Sequence, residues 1–411
     1  MDTYPNYIGL KSIFYFCSLP LRLDSYRGCS HGCIYCFSRT LNNRKYKFSS
    51  TIIPADPKKF ERLMRSVLEG NYKFNSPVRS CLERHIPLHF GCVSDPFQPV
   101  EIKYRVTLEF LRIIREFNYP CVISTKSDLI TDPIYLDIIT GIPLSVQISF
   151  STLNDELANI IEPYTPPPSK RLLVLKQLAQ NRLYTVGRLQ PFLFPREKLL
   201  PETFEKLASV GVKHIVLEHL RIPTNSKIRT REELWHGLGM NMIDNYKKMG
   251  MKYSRVNYEL NSEQKLNNVL KAKEFANKYG MSFGSGDNDF HHISDNLCCC
   301  GIPKEGFQNI YDGHLGYGAF QGRASDKISY EYINKAWQPK GSIKEYINSD
   351  CRINGQKSVT EFLMYKLSRP QSSNSPLCFY GLEWLGGIEY RYSEEFIEIM
   401  VKGVIDDEKN H

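Results

Sequence analysis

The chain has no run of eighteen consecutive apolar residues, which excludes an ordinary membrane-spanning helix. Its first residues, "MDTYPNYIGLKSIFYF", lack the basic stretch and small-residue cleavage site of a secretory signal. A soluble, cytoplasmic protein with no membrane partner is therefore expected. No repeat of fixed period and no low-complexity tract interrupts the 411 residues, so solenoids and disordered tails are not indicated. The twelve cysteines show no even spacing, and in a reducing compartment they read as thiols, ligands or catalytic groups rather than a disulfide framework. Hydrophobic residues at 42% and charged residues at 24% are enough for a sizeable core. The excess of 53 basic over 44 acidic residues, +9, suits a polyanionic partner without demanding one.

From about Pro57 to Gly286, apolar runs alternate with helical patterns. Strands are expected at Leu88–Val93, Cys121–Thr125, Ser145–Phe150, Thr185–Leu189, His214–Leu217 and Ser282–Gly284. Between them lie helical stretches such as "DPKKFERLMRSVLEG" and "RVTLEFLRIIREFN". Continuous apolar strands separated by helices imply a parallel sheet covered by helices. About six such units predict an α/β fold of the partial (β/α)6 TIM-barrel kind, with its chemistry in the loops at the carboxyl ends of the strands. After Gly286 the pattern breaks. "SVTEFLMYKLS" reads as a helix, and "YGLEWLGGIEYRYS" reads as a β-hairpin about Gly386 and Gly387. The expected division is an extension at 1–20, the barrel at 21–286 and a small substrate-covering C-terminal region at 287–411.

The densest chemistry lies in "YRGCSHGCIYCFSR", where Cys29, Cys33 and Cys36 stand at C-x3-C-x2-C with Gly28 and Gly32 before the first two thiols. Zinc would want a fourth closed ligand, and no second C-x2-C or H-x3-H pair stands nearby. Three thiolates in one loop instead suit an iron–sulfur cubane with one iron left open. The spacing, with an aromatic after the last cysteine, resembles the cluster loop of radical S-adenosylmethionine enzymes.

That resemblance implies a 4Fe-4S cluster on Cys29, Cys33 and Cys36, S-adenosyl-L-methionine bound at the open iron, and a 5'-deoxyadenosyl radical that abstracts hydrogen from a substrate. More of the chain, about Leu21 to Leu220, is similar to the spore photoproduct lyase-like branch: "GCVSDPFQPVE", "ISTKSDLITDP", "VQISFSTLNDELANIIEPYTPPPSKR" and "GRLQPFLF". The branch places a hydrogen-donating cysteine where this chain has Cys92, in Cys92-Val93-Ser94-Asp95. It also implies a relay tyrosine at Tyr35. Its second relay tyrosine is Phe37 here, which has no O–H to give up, so the same relay cannot operate unchanged. Cofactor contacts implied by the resemblance are Ser94 and Asp95 for the methionyl amino group, Lys126 for its carboxylate, Ser149 and Ser151 for the ribose, and Arg188 and Gln190 at the fifth strand's end. The alternative for each is an ordinary satisfied polar group on a barrel rim. The implied partners are nucleic acid, DNA favoured, for repair or base modification by a lyase-like reaction, and an electron donor such as flavodoxin or ferredoxin. A radical enzyme acting on a peptide or small metabolite, and a non-catalytic metal-bearing nucleic-acid-binding protein, remain open.

Three features stand outside this scheme. Glu162 and Arg171 flank a proline turn and either pair with each other, as surface pairs that contribute little, or face the active site. "HHISDNLCCCG" carries Cys298, Cys299 and Cys300, for which metal ligands, a redox thiol near the substrate, a second hydrogen donor and plain buried thiols are all open. Consecutive side chains diverge, so the three can share one centre only through an unusual turn. In the tail, Trp384, Tyr390, Arg391 and Tyr392 either stack on nucleic acid or pack on the barrel.

Overall fold

The computed structural model describes residues 3–11, 17–41, 51–73, 76–193, 200–223, 241–253, 257–296, 298–303, 306–307 and 309–314, the single positions 236 and 239, and three later strands. Eight strands form the central sheet: β1 (Ile8–Leu10), β2 (Leu21–Leu23), β3 (Leu88–Phe90), β4 (Cys121–Thr125), β5 (Leu144–Phe150), β6 (Tyr184–Phe192), β7 (His214–His219) and β8 (Ser282–Ser285), in that spatial order. Strands β2 to β8 are parallel, and only β1 is antiparallel to its neighbour. Edges β1 and β8 do not pair, so the sheet is an open, partial barrel of the expected α/β class.

The expected six parallel strands are joined by a seventh, β2, which immediately precedes the cysteine loop. Three residues are too few to show a period, and the loop's own signal hides them. Helices Pro57–Leu68, Pro77–Glu83, Pro133–Ile139, Pro168–Gln180 and Pro201–Ser209 each begin on a proline. There the ring's fixed φ favours the helix and the missing N–H has no intrahelical partner to lose.

The strands are buried on both faces but not apolar on both. Phe90, Ile123, Val146, Ile148, Phe150, Leu189, Ile215, Leu217 and Phe283 face the helices in one continuous core. Among the alternating positions that turn inward, His89, Ser124, Gln147 and Arg188 form a hydrogen-bonded belt across four strands. A continuous apolar strand is thus the wrong description of β5, which reads Leu-Ser-Val-Gln-Ile-Ser-Phe.

The segment after β8 returns beneath the sheet. Cys298 and Cys300 pack with Leu19, Val122 and Phe307, and Gln147 Nε2 donates to the Cys300 carbonyl at 3.1 Å. At Gly284 a Cβ would lie 2.2 Å from the Cys299 carbonyl oxygen, so only glycine permits this approach. Farther on, Lys327–Ser329, Ile388–Tyr392 and Phe396–Val401 form a three-stranded antiparallel sheet. Ile388–Tyr392 and Phe396–Val401 are antiparallel neighbours in it, while Gly386, Gly387 and the run before them, about which a hairpin is expected, lie outside the described residues. The helix expected at 358–368, Trp384 and the side chains of Tyr390, Arg391 and Tyr392 lie outside the described residues. No helix among the described residues is long and apolar enough to cross a membrane.

Candidate functional site

The cysteine loop follows β2 and is pinned from four directions. Gln98, fully buried, brackets Cys29: its Oε1 accepts from the Ser30 amide at 2.8 Å and its Nε2 donates to the Gly28 carbonyl at 3.0 Å. His31 Nδ1 lies 2.9 Å from the Tyr164 carbonyl, and its Nε2 lies 3.3 Å from Asp95 Oδ2. The Ile34 amide donates to the Ile161 carbonyl at 3.0 Å. Gly32 has φ +68°, and a Cβ there would lie 2.8 Å from the Tyr164 ring, so the position needs glycine on both counts. Asp24, at the end of β2, accepts from the Val93 and Ser94 amides at 2.8 and 3.2 Å, which fixes the β3 loop beside the cysteine loop.

The fourth anchor is Glu162. It is buried and accepts from the Tyr35 hydroxyl, from Ser151 Oγ at 2.8 Å and from Arg171, with Lys126 Nζ at 4.0 Å. Burial alone would raise its carboxyl, but Arg171 and Lys126 outweigh burial and hold it below the usual carboxylate range. Glu162 and Arg171 do pair, and they do so buried beside the cysteine loop rather than at the surface. Arg171 also donates to the Ser149 and Pro166 carbonyls at 2.8 and 2.7 Å, so its guanidinium is hydrogen-bonded on several sides. A charge pair flanking three prolines looks like a solvated turn in the sequence; folding the turn over the barrel mouth buries it.

Cys33, Tyr35, Lys126 and Ser151 therefore converge. Burial pushes the Cys29 thiol up to about 12 and Cys33 well above its ordinary value, the latter opposed by the Lys126 ammonium. Cys33 feels both Cys29 and Cys36, and Cys29 feels Cys36, so the three lie within electrostatic range of one another. Tyr35 turns inward to Glu162, whereas Phe37 is 57% exposed.

The remaining candidates divide between two places. Ser94 Oγ donates to the Tyr26 carbonyl at 2.6 Å, and Asp95 accepts from Thr125 Oγ1, the Phe97 amide and the Lys126 amide at 2.7, 2.9 and 2.7 Å. These oxygens hold the loops at the ends of β2, β3 and β4. Cys92 and Arg188 face the barrel interior. Cys92 Sγ donates to the His89 carbonyl at 3.3 Å, and burial pushes its thiol up to about 12, so it keeps its S–H bond. Gln190 donates to Glu218, whose carboxyl burial pushes up to about 6.

Cys298, Cys299 and Cys300 do share one centre. A turn closed by the Gly301 amide on the Cys298 carbonyl at 3.2 Å lets the first two thiols hydrogen-bond to Cys300, whose thiol is held well below its usual range by those bonds, against burial. The three side chains meet through a turn, as their adjacency requires, because this segment is neither extended nor helical. Among the described residues no group of three His, Cys, Asp or Glu is arranged to hold a metal ion.

No family model matches the chain. An uncharacterized protein of Mycobacterium tuberculosis (strain ATCC 25618 / H37Rv) is 24% identical over 217 residues, 50% of this chain and 60% of that protein. An uncharacterized protein of Acidianus two-tailed virus is 26% identical over 204 residues, 47% of this chain and 64% of that protein. The chain thus spans less than two thirds of the length of these relatives. Among solved structures, a spore photoproduct lyase mutant superposes with TM-score 0.50 at 14% identity, covering 68% of this chain and 79% of that one. The chain shares the fold of that spore photoproduct lyase structure. In this fold the loop after the first parallel strand is the one bearing Cys29, Cys33 and Cys36, and the polar belt is the inner wall of the partial barrel. A second lyase mutant structure, with bound AdoMet and dinucleoside spore photoproduct, has TM-score 0.47 at 14% identity, covering 67% of this chain and 77% of that one.

Sequence reasoning does not reach Gln98, His31, Asp24 or the burial of Glu162 and Arg171. Gln98 and His31 sit inside the motif stretches themselves, and their proximity to the cysteines in "SHGC" and "DPFQPVE" is the available signal.

Proposed function

We propose that the protein is a radical S-adenosylmethionine enzyme with a 4Fe-4S cluster on Cys29, Cys33 and Cys36, acting on nucleic acid, DNA favoured, in a lyase-like repair or base-modification reaction. The observation that carries this reading is the three-thiol loop at the carboxyl end of the first parallel strand, bracketed by Gln98 and facing Lys126. The donor set fits the group. In a cubane each thiolate holds a different iron, so three thiols in one loop within electrostatic range of one another suit a cluster with one open iron, whereas a closed zinc site wants a fourth ligand. When bound, the cluster and S-adenosylmethionine supply a 5'-deoxyadenosyl radical.

The chain's own residues do the rest. Lys126 offers the cofactor carboxylate a point charge that is oriented by Glu162 and by the Tyr35 ring, 5.8 Å from Nζ. Ser149, Ser151, Arg188 and Gln190 are rim candidates for the remainder of the cofactor, and Ser94 and Asp95 shape the loops around it. Cys92 retains the S–H bond that a hydrogen donor requires. The polar inner wall receives the substrate, the barrel at 21–286 shields the radical, and 287–411 covers the opening. An electron donor of the flavodoxin or ferredoxin type completes the cycle.

The test is anaerobic reconstitution with iron and sulfide, followed by paramagnetic resonance with and without S-adenosylmethionine and assay of 5'-deoxyadenosine. A cofactor-shifted signal with deoxyadenosine release, both lost in Cys33→Ala, is expected. Bound zinc and no cleavage would remove the reading.

A further inference from the structure

Buried charge must be compensated, and the barrel interior holds two cations with no ion pair among the described residues. Lys11, just after β1, reaches inward to His89 Nδ1 at 2.7 Å and to Cys17 Sγ at 3.7 Å. Arg188, on β6, donates through Nη1 to Gln147 Oε1 at 2.6 Å. These partners are neutral groups or thiols, and among the described residues neither cation has a carboxylate within ion-pair distance. Both cations act on Cys92, which lies on the same inner wall. His89 between them is neutral: burial first, then Lys11, holds its imidazole far below the usual range.

The groups able to balance this charge are few. Asp24 also acts on Cys92, but its carboxylate is committed to Arg22 at 3.0 Å and to the Val93 and Ser94 amides. Glu218 is within electrostatic range of Arg188, but burial raises its carboxyl, it accepts from Gln190, and Arg221 stands 4.0 Å from it. The Cys300 thiolate can offset one positive charge, so among the described residues no uncommitted carboxylate is left for the second. Lys11, Cys17, Cys92, Arg188 and Cys299 are all partly exposed, so they line space rather than filling it. The contrast with the mouth is direct: there Arg171 meets Glu162, and Lys265 meets Glu259 and Asp289.

We propose that the interior beside Cys92 is a subsite in which Lys11 and Arg188 receive an anionic group of the substrate, namely a phosphate of a nucleic acid. That the anion belongs to a substrate rests on the function proposed above; the anion site itself does not. Arg188, a rim candidate for the cofactor on resemblance, is thereby assigned to the substrate, because its guanidinium is drawn toward Gln147 and the interior. An anionic group held there lies against Cys92, where a hydrogen donor has to meet the reacting carbon.

The test uses the cluster-loaded full-length chain and a fluorescein-labelled oligothymidylate, with binding followed by anisotropy over a potassium chloride series. Removing one phosphate-binding charge should make the slope of log affinity against log salt shallower by about 0.7. Lys11→Gln and Arg188→Gln should each show that change, the double variant about twice as much, and Lys11→Arg should keep the wild-type slope. Unchanged melting temperatures separate this from misfolding. Thymidine 5'-monophosphate should compete with the oligonucleotide in the wild type and lose that ability in the double variant, while uncharged thymidine competes in neither. Wild-type slope and affinity in both single variants would overturn the subsite, as would equal competition by thymidine. Competition by succinate but not by thymidine 5'-monophosphate would overturn the phosphate assignment. Release of 5'-deoxyadenosine, scored in parallel, separates the two ideas: release with unchanged slopes sinks only the subsite, and shifted slopes without release sink only the radical reading.

Discussion

The two faces of the central sheet are held by different forces. Toward the helices, Phe90, Ile123, Ile148 and Leu217 are enclosed by apolar neighbours, with the Phe60 and Phe110 rings 4.7 Å apart and Phe90 6.0 Å from Phe110. There every methylene counts and no partner is specified. Toward the interior the same strands carry His89, Ser124, Gln147 and Arg188, and what matters is whether each group has a partner. A sheet buried on both faces can therefore be conservative on one and chemically open on the other.

The sharpest way to break that comparison is to remove one member of the buried pair at the mouth. Arg171→Met leaves Glu162 without its main counter-charge and should cost about 3–5 kcal/mol in chemical denaturation. A loss under about 1 kcal/mol would show that pairing is not what holds this side. On the helix side, Phe90→Ala should cost about 3–5 kcal/mol, by cavity formation and with no dependence on salt.

Titration sharpens the contrast further. Glu218 in the folded chain titrates near 6, above the about 4.3 of an unfolded glutamate, so its contribution to stability is full below the unfolded value and is lost as pH rises through about 6. Glu218→Gln should flatten that segment of the stability profile, worth about 2 kcal/mol, and a profile identical to wild type would show that the carboxyl is not raised. The smallest effect belongs to Ser145, whose buried hydroxyl has no partner among the described residues. Ser145→Ala should be neutral or slightly stabilising by thermal melting, while Val146→Ala beside it on β5 should destabilise clearly. Equal losses at the two positions would erase the distinction between the faces.

The parallel α/β class is legible because helical and apolar periods alternate over more than two hundred residues, and strand β4 has the bounds its apolar run implies. Strand β6 extends three residues past its expected end to Phe192, because pairing continues beyond a register shift that no local pattern encodes. Strand β2 is invisible in the sequence because three residues carry no period. Within the site, the cysteine loop and Lys126 stand out by type and spacing, whereas Gln98 and Glu162 are common residues whose roles depend on what folds against them.

By itself, then, the sequence determined the thiol spacing, the glycines that let the loop turn and the order of strands and helices, because those follow from local geometry and short periods. Only the tertiary structure decided that Glu162 and Arg171 are buried, that Cys300 gathers Cys298 and Cys299, and that Lys11 and Arg188 meet the same inner wall. Those outcomes depend on which segments fold against one another, from Arg171 and Glu162, 9 positions apart, to Gln147 and Cys300, 153 apart, and there burial and partnering, rather than residue type, set the charge and reach of a side chain.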